Sequence, residues 1–318
     1  MGLNSSFKRL PIVAGLLLVF VIIPVLARGS SYWLTVFINA GILGFISLGV
    51  WLTFAIGRIN IAQGAFALVG GYVTAICSSR FGVPFWACLI LSGLVAGALG
   101  ALIGFPILRL RGVYFSMLTL SITEATRLLA LNLSSVTGGA SGILNIPTPF
   151  VGDASYLELY FFTAVLLLLG VGVIYRITTT RLGWIFRALR QDEALAGSFG
   201  INVAAYRVLA FSICCAFGGI GGAVLTVFVQ SIYPTSFTVT DSTNFMLYCF
   251  LGGLEYVLGP IVGALSLFLG FQLLSGLGAY QPLAYASIMI AAMLVLPNGL
   301  LSLGFKKRTA KLEKANNS

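Results

Sequence analysis

Apolar runs of about 20 residues, the length that crosses a bilayer as a helix, alternate with short polar intervals along most of the chain. They predict about ten membrane spans, at residues 10–27, 33–56, 60–78, 85–105, 113–131, 157–176, 204–229, 243–257, 260–277 and 282–300. The longest polar interval runs from Arg176 to Arg207, near the middle. Inside it Ile185, Ala188, Leu189, Leu195, Ala196 and Phe199 recur at helical spacing and form one apolar stripe that only Asp192 interrupts. Arg187, Arg190 and Gln191 fall on the opposite face. Gly183 lies just before this helix, Gly197 and Gly200 can end it, and Asn202 is placed to cap a new helix from Val203. A short amphipathic helix is therefore predicted between two spans, able to lie on lipid headgroups or to dock into a groove of another protein.

Composition sharpens the class. Hydrophobic residues make up 59% of the 318, charged residues only 8%, and mean hydropathy is +1.04. A soluble domain carries about 25% charged residues, so the chain reads as an all-α integral membrane protein, a polytopic bundle of eight to about ten transmembrane helices. The net charge of +10 is spread through short loops and is read as topology, with no nucleic-acid partner. With the N-terminus in the cytoplasm, all of the 18 Lys and Arg fall on the inner side except Arg28 and Arg80 outside and Arg127 near the outer end of its span. That bias puts both termini and the amphipathic helix in the cytoplasm. The whole chain, 1–318, is one transmembrane domain, with a cytoplasmic loop at 177–203 and a basic cytoplasmic tail at 304–318. Lys8 and Arg9 before the first apolar run resemble a signal peptide, but no clear cleavage site follows, so an uncleaved first span is expected.

Candidate chemistry is sparse. There is no histidine, and Cys77, Cys88, Cys214, Cys215 and Cys249 lie in or beside apolar runs at no metal-like spacing, as small buried hydrophobes do. Neither a P-loop nor a Ser/His/Asp arrangement is present, which argues against an active site within the chain. Glycines at small-xxx-small spacing, such as Gly93, Gly97, Gly100 and Gly104, fit close helix packing in lipid. Gly64, Gly70 and Gly71 interrupt one short span, and the segment from Gly252 to Pro260 interrupts a later one, a pattern that hints at an inverted repeat with a site at the midplane. Glu124 is the clearest charge at membrane depth. Arg127 three residues on can pair with it, so the two read either as a functional site or as a structural tie. Thr119, Ser121 and Thr123 can line a polar path or bond carbonyls of their own helix. The loop containing Gly138 and Gly139 can offer backbone N–H groups to an anion or form a tight surface turn.

Five stretches in one order resemble a known family: NIAQGAFALVGGY at 60–72, LRLRGVY at 108–114, TLSITE at 119–124, TGGASG at 137–142 and RALRQDEALAGSFGIN at 187–202. From about residue 35 to 300 they are similar to the LivM-type inner-membrane permease of ATP-binding-cassette importers for branched-chain amino acids. One departure is that the family often has Ser-Leu-Gly-His where this chain has Asn60-Ile-Ala-Gln63. The resemblance implies a non-enzymatic permease half that pairs with a LivH-like subunit, two ATPase subunits of the LivG and LivF kind, and a periplasmic binding protein. The chain itself would hold no cofactor, ATP and magnesium belonging to the ATPases. It further implies that Arg190, Asp192, Glu193, Ala196 and Gly200 belong to the coupling helix, moved as a rigid lever at 184–199; the candidate residues for the substrate path are Gln63, Tyr72, Thr119, Glu124, Gly138 and Gly139. Urea and short-chain amides use similar permeases, and a stand-alone secondary transporter is the rival from another class.

Overall fold

The computed structural model describes residues 31–150, 155–295 and 299–302. The span predicted at 10–27 and the basic tail at 304–318 lie outside these. The order is α1 (Ser31–Ala55), α2 (Gln63–Phe81), α3 (Phe85–Ile107), α4 (Val113–Asn132), the single turn α5 (Ser134–Thr137), β1 (Ile143–Leu144) and α6 (Ser155–Thr179). Then come α7 (Arg181–Gln191), α8 (Glu193–Ser198), α9 (Val203–Val229), β2 (Ser231–Ile232), α10 (Val239–Gly252), α11 (Gly259–Leu273) and α12 (Gln281–Val295).

Helices α1 and α9 are the centre. Helix α9 packs along α3, α2 and α1, while α1 also packs against α11, α6 and α10. The glycines of α3 face α9: Gly93 meets Ile220, Gly97 meets Ala216, Gly100 meets Cys215 and Gly104 meets Phe211. Where no water drives apolar faces together, such close approach supplies the dispersion contacts that hold the pair. Phe45 of α1 stacks on Phe217 of α9 with ring centroids 4.9 Å apart. Trp51 of α1 donates its indole N–H to the Leu254 carbonyl, at 2.9 Å, in the non-helical stretch between α10 and α11.

Five helical stretches among the described residues are long and apolar enough to cross a membrane: Tyr32–Ala55, Phe85–Ile107, Tyr156–Thr179, Val203–Val229 and Gly259–Leu294, the last kinked at Gly278. That is fewer than the about ten the apolar runs predict. The run at 60–78 yields α2, displaced to Gln63–Phe81, and the run at 243–257 yields α10, which is only 14 residues long from Val239 to Gly252. At one end of the bundle β1 pairs antiparallel with β2, Ile143 opposite Ile232, and ties the loop after α5 to the end of α9. At the other end lie the helix ends and loops that carry Arg58, Arg111, Glu193 and Arg207.

Candidate functional site

The predicted 184–199 helix is two helices, because Asp192 breaks it. Asp192 is extended (φ −154°, ψ 114°) and its Oδ1 accepts from the N–H groups of Ala194 at 2.8 Å and Leu195 at 3.0 Å. A short acidic side chain that captures the next turn's N–H groups starts a helix rather than continuing one. The apolar stripe divides with it. Gly183, Phe186 and Leu189 of α7 are buried against the bundle, whereas Leu195 and Phe199 are 57% and 78% exposed. Ala196 is buried, and Gly200 turns the chain toward α9 with φ +79°. Asn202 caps α9 as its position predicts, its Oδ1 accepting from Ala205 N at 3.1 Å. Replacing Asp192 by Ala is expected to destabilise α8 by about 1 kcal/mol, read as faster hydrogen exchange at Ala194 and Leu195.

Glu193, the first residue of α8, receives three arginines from three different joints. Arg58, in the turn after α1, bonds Oε1 at 2.9 Å, and Arg111, in the turn before α4, lies 3.3 Å from Oε2. Arg207, in the second turn of α9, also pairs with Oε1. Arg58 and Arg207 are buried and Arg111 is exposed. Burial first, and then the charge of Arg111, lower the Arg58 pKa from its usual value. One carboxylate thus holds α8 to α1, α4 and α9 together. Beside it is an open cleft of about 350 Å³ lined by Gly57, Arg58, Arg111, Arg190, Asp192 and Glu193. Arg190 is exposed there, and Arg187 stacks over the Trp184 ring at 4.2 Å. The three arginine partners of Glu193 were legible only as basic loop residues, because nothing in their spacing says that they converge.

The second feature is a non-helical segment inside the bundle. Residues 59–61 run along α4: Ser116 Oγ donates to Ile59 O at 3.1 Å, Ile61 N donates to Thr119 Oγ1 at 3.2 Å, and Thr123 Oγ1 donates to Ile61 O at 2.9 Å. Those hydroxyls come from successive turns of α4, so the segment runs alongside that helix, covering at most about 7 Å from Ile59 to Ile61. Irregular backbone at that depth survives only if protein groups satisfy it. Gln63 closes the arrangement, its amide donating to Ile46 O at 3.0 Å and Cys214 O at 3.1 Å. Thr119 and Gln63 are fully buried in this role.

The predicted interruption at 252–260 is non-helical between α10, which ends at Gly252, and α11, which begins at Gly259. The chain before α10 also leaves the α-helix, with a single 3-10 turn at Pro234–Ser236, and Thr238 and Asp241 cap α10 reciprocally, Thr238 N donating to Asp241 Oδ2 at 2.8 Å. Ser242 Oγ then accepts from Gly64 N at 2.9 Å, so the N-terminal turns of α2 and α10 meet. A side chain at Gly64 would collide with Ser242 and the Thr238 carbonyl. Ser242→Ala leaves the Gly64 N–H without its partner. We expect it to lower stability by about 2 kcal/mol, measured by thermal unfolding in detergent.

The remaining candidate residues lie elsewhere. Tyr72 of α2 is buried, and its hydroxyl has no hydrogen-bond partner among the described residues. Glu124 lies about 100° round α4 from Thr123, and Arg127 stands one turn beyond Thr123 on the side that holds the interrupted segment, with its Nε 3.1 Å and 3.0 Å from the two Glu124 oxygens. Gly138 and Gly139 have φ of +77° and +60° at the β1–β2 end. Their N–H groups are already taken, by Ser134 O at 3.0 Å and Thr137 Oγ1 at 3.2 Å.

Comparison with known proteins accords with this architecture. Residues 32–297 match the family described as branched-chain amino acid transport system / permease component. The chain is 31% identical to the high-affinity branched-chain amino acid transport system permease protein LivM of Salmonella typhimurium, covering 98% of this chain and 80% of the relative. It is also 31% identical to LivM of Escherichia coli, over 85% of this chain and 72% of the relative. A probable LivH permease of Methanocaldococcus jannaschii is 27% identical over 85% of this chain and 91% of its own length. No solved structure matches. A helical bundle with charged joints and an interrupted helix, matched over nearly its whole described length, belongs to the family of permease components of branched-chain amino acid transport systems.

Proposed function

We propose that the chain is one permease half of an ATP-driven importer in a bacterial inner membrane, passing branched-chain or related hydrophobic amino acids delivered by a periplasmic binding protein. It pairs with a LivH-like permease, and two LivG/LivF-like ATPases bind ATP and magnesium and do the hydrolysis. The Glu193 end of the bundle faces the cytoplasm. The single observation that carries the reading is the convergence of Arg58, Arg111 and Arg207 on Glu193. Helix α8 offers Leu195 and Phe199 as exposed apolar anchors for an ATPase groove. Movement of that groove on nucleotide binding passes through one carboxylate to α1, α4 and α9. Because Asp192 separates α7 from α8, the lever is α8 and its joint, while α7 stays packed on the bundle. Substrate crosses between this chain and its permease partner, along the exposed side of α4 and the segment before α2.

The experiment is to reconstitute the chain with its genomic neighbours in proteoliposomes and measure ATP consumption with leucine, isoleucine, valine, urea and a short amide outside. Stimulation by the branched-chain amino acids and not by urea is expected. Solute uptake by this chain alone, or labelling of an Arg190→Cys variant from the external side, would sink the reading.

A further inference from the structure

Building on the permease reading above, we infer that Glu124 and Arg127 are a transport subsite for the two charges of a zwitterionic amino acid, with Leu120 and Leu128 receiving its aliphatic side chain. Glu124 lies past the middle of α4, whose 20 residues run from Val113 to Asn132. A charge at that depth is costly against acyl chains, so the face that carries it meets water or protein. Both side chains are partly exposed, Glu124 at 41% and Arg127 at 23%. Among the described residues their ionic partners are each other alone.

This differs from Glu193, which is enclosed by arginines from three elements. A pair that joins nothing to anything else is poorly placed as a structural tie. Thr123, which bonds Ile61 O, fixes one side of α4; Arg127 stands one turn beyond it on that side and reaches across to Glu124, which lies about 100° round the helix on the exposed face. Leu120 and Leu128 stand one turn to either side of Glu124 on that face, 39% and 42% exposed. Charge in the centre with apolar surface above and below is the complement of an amino acid with a branched side chain.

Without ligand the carboxylate and guanidinium neutralise one another. An arriving zwitterion offers the same two charges. Its ammonium takes the place of the guanidinium at Glu124, and its carboxylate takes the place of the Glu124 oxygens at Arg127. One ion pair becomes two, and no net charge is created at membrane depth. A neutral solute such as urea has no charges with which to open the pair.

The test is uptake of labelled leucine by proteoliposomes containing the full assembly and its binding protein. Glu124→Gln, Arg127→Gln and the exchange Glu124→Arg/Arg127→Glu are compared, with assembly checked by co-purification. Each single substitution is expected to lower uptake by about tenfold, the equivalent of one charged hydrogen bond. The exchange keeps the helix's own ion pair but reverses the order of its charges along the passage, so uptake is expected to stay low. Undiminished uptake in the single variants, or recovery in the exchange, overturns the subsite while the permease reading stands. A wild-type assembly that transports urea or an amide but no amino acid overturns both. If a Gln variant fails to assemble, Glu124→Asp and Arg127→Lys, which keep the charge and alter its reach, are read in the same way.

Discussion

Replacing Glu193 with Gln is expected to reduce substrate-stimulated uptake by about tenfold or more while the chain still inserts and co-purifies with its partners. The carboxylate is partly shielded, at 22% side-chain exposure, and two of its three arginine partners are buried. Removing one side of a buried ion pair leaves the other charge uncompensated, a change that costs about 3 kcal/mol or more. Here three guanidiniums lose their shared partner, and mutual repulsion among Arg58, Arg111 and Arg207 opens the joint. Helix α8 keeps its Asp192 cap and its exposed Leu195 and Phe199, so docking persists while transmission fails. ATP hydrolysis that continues without uptake is the predicted signature. Measured in one preparation, hydrolysis and uptake that both stay at wild-type levels would remove the joint from the mechanism.

A second large effect is expected from Gly222→Ala in α9. Its added methyl would strike the Ala67 backbone carbonyl of α2, and Gly70 and Gly219 show that the two backbones are equally close one turn along. Backbone cannot yield as a side-chain tip can, so α2 and α9 must separate, at a cost of about 3 kcal/mol. Loss of the separation set by this crossing also moves Gln63 away from Cys214. We expect the variant to be recovered at low yield and to unfold early in detergent. Gly172→Ala on α6, where nothing lies within 4 Å of the added methyl, is the control, expected to fall within about 0.5 kcal/mol of wild type.

Much of the helical layout is legible in the apolar runs, since hydrophobicity over about 20 residues reports directly on burial in lipid. The 203–229 helix and its Asn202 cap, and the glycine face of α3, follow from pattern alone. The Asp192 break lies in the one polar position within the predicted stripe, yet periodicity reads through it, because a stripe records faces and not the capture of N–H groups by a side chain. The joint itself is hidden for another reason. Arg58, Arg111 and Arg207 are separated by long helices, and only the packing of α1, α3 and α9 brings them to Glu193. Thr119 and Thr123 show the same limit: their spacing allows bonds within α4, whereas the fold also uses them to hold the chain at Ile61.

The contact between Gly64 and Ser242 fixes an order of biogenesis. The two residues are 178 apart in sequence, so as the ribosome feeds the chain into the membrane, α2 is inserted long before its partner exists. The carbonyl and N–H of Ile61 find Thr123 and Thr119 within one further pair of spans, but the Gly64 amide waits until 178 further residues have been made. During that interval the nascent protein carries an unsettled seam at its heart, open to water, to the insertion machinery or to a quality-control protease. The last third of the polypeptide therefore finishes what the first third began, and a chain truncated before Ser242 ends with that seam unclosed.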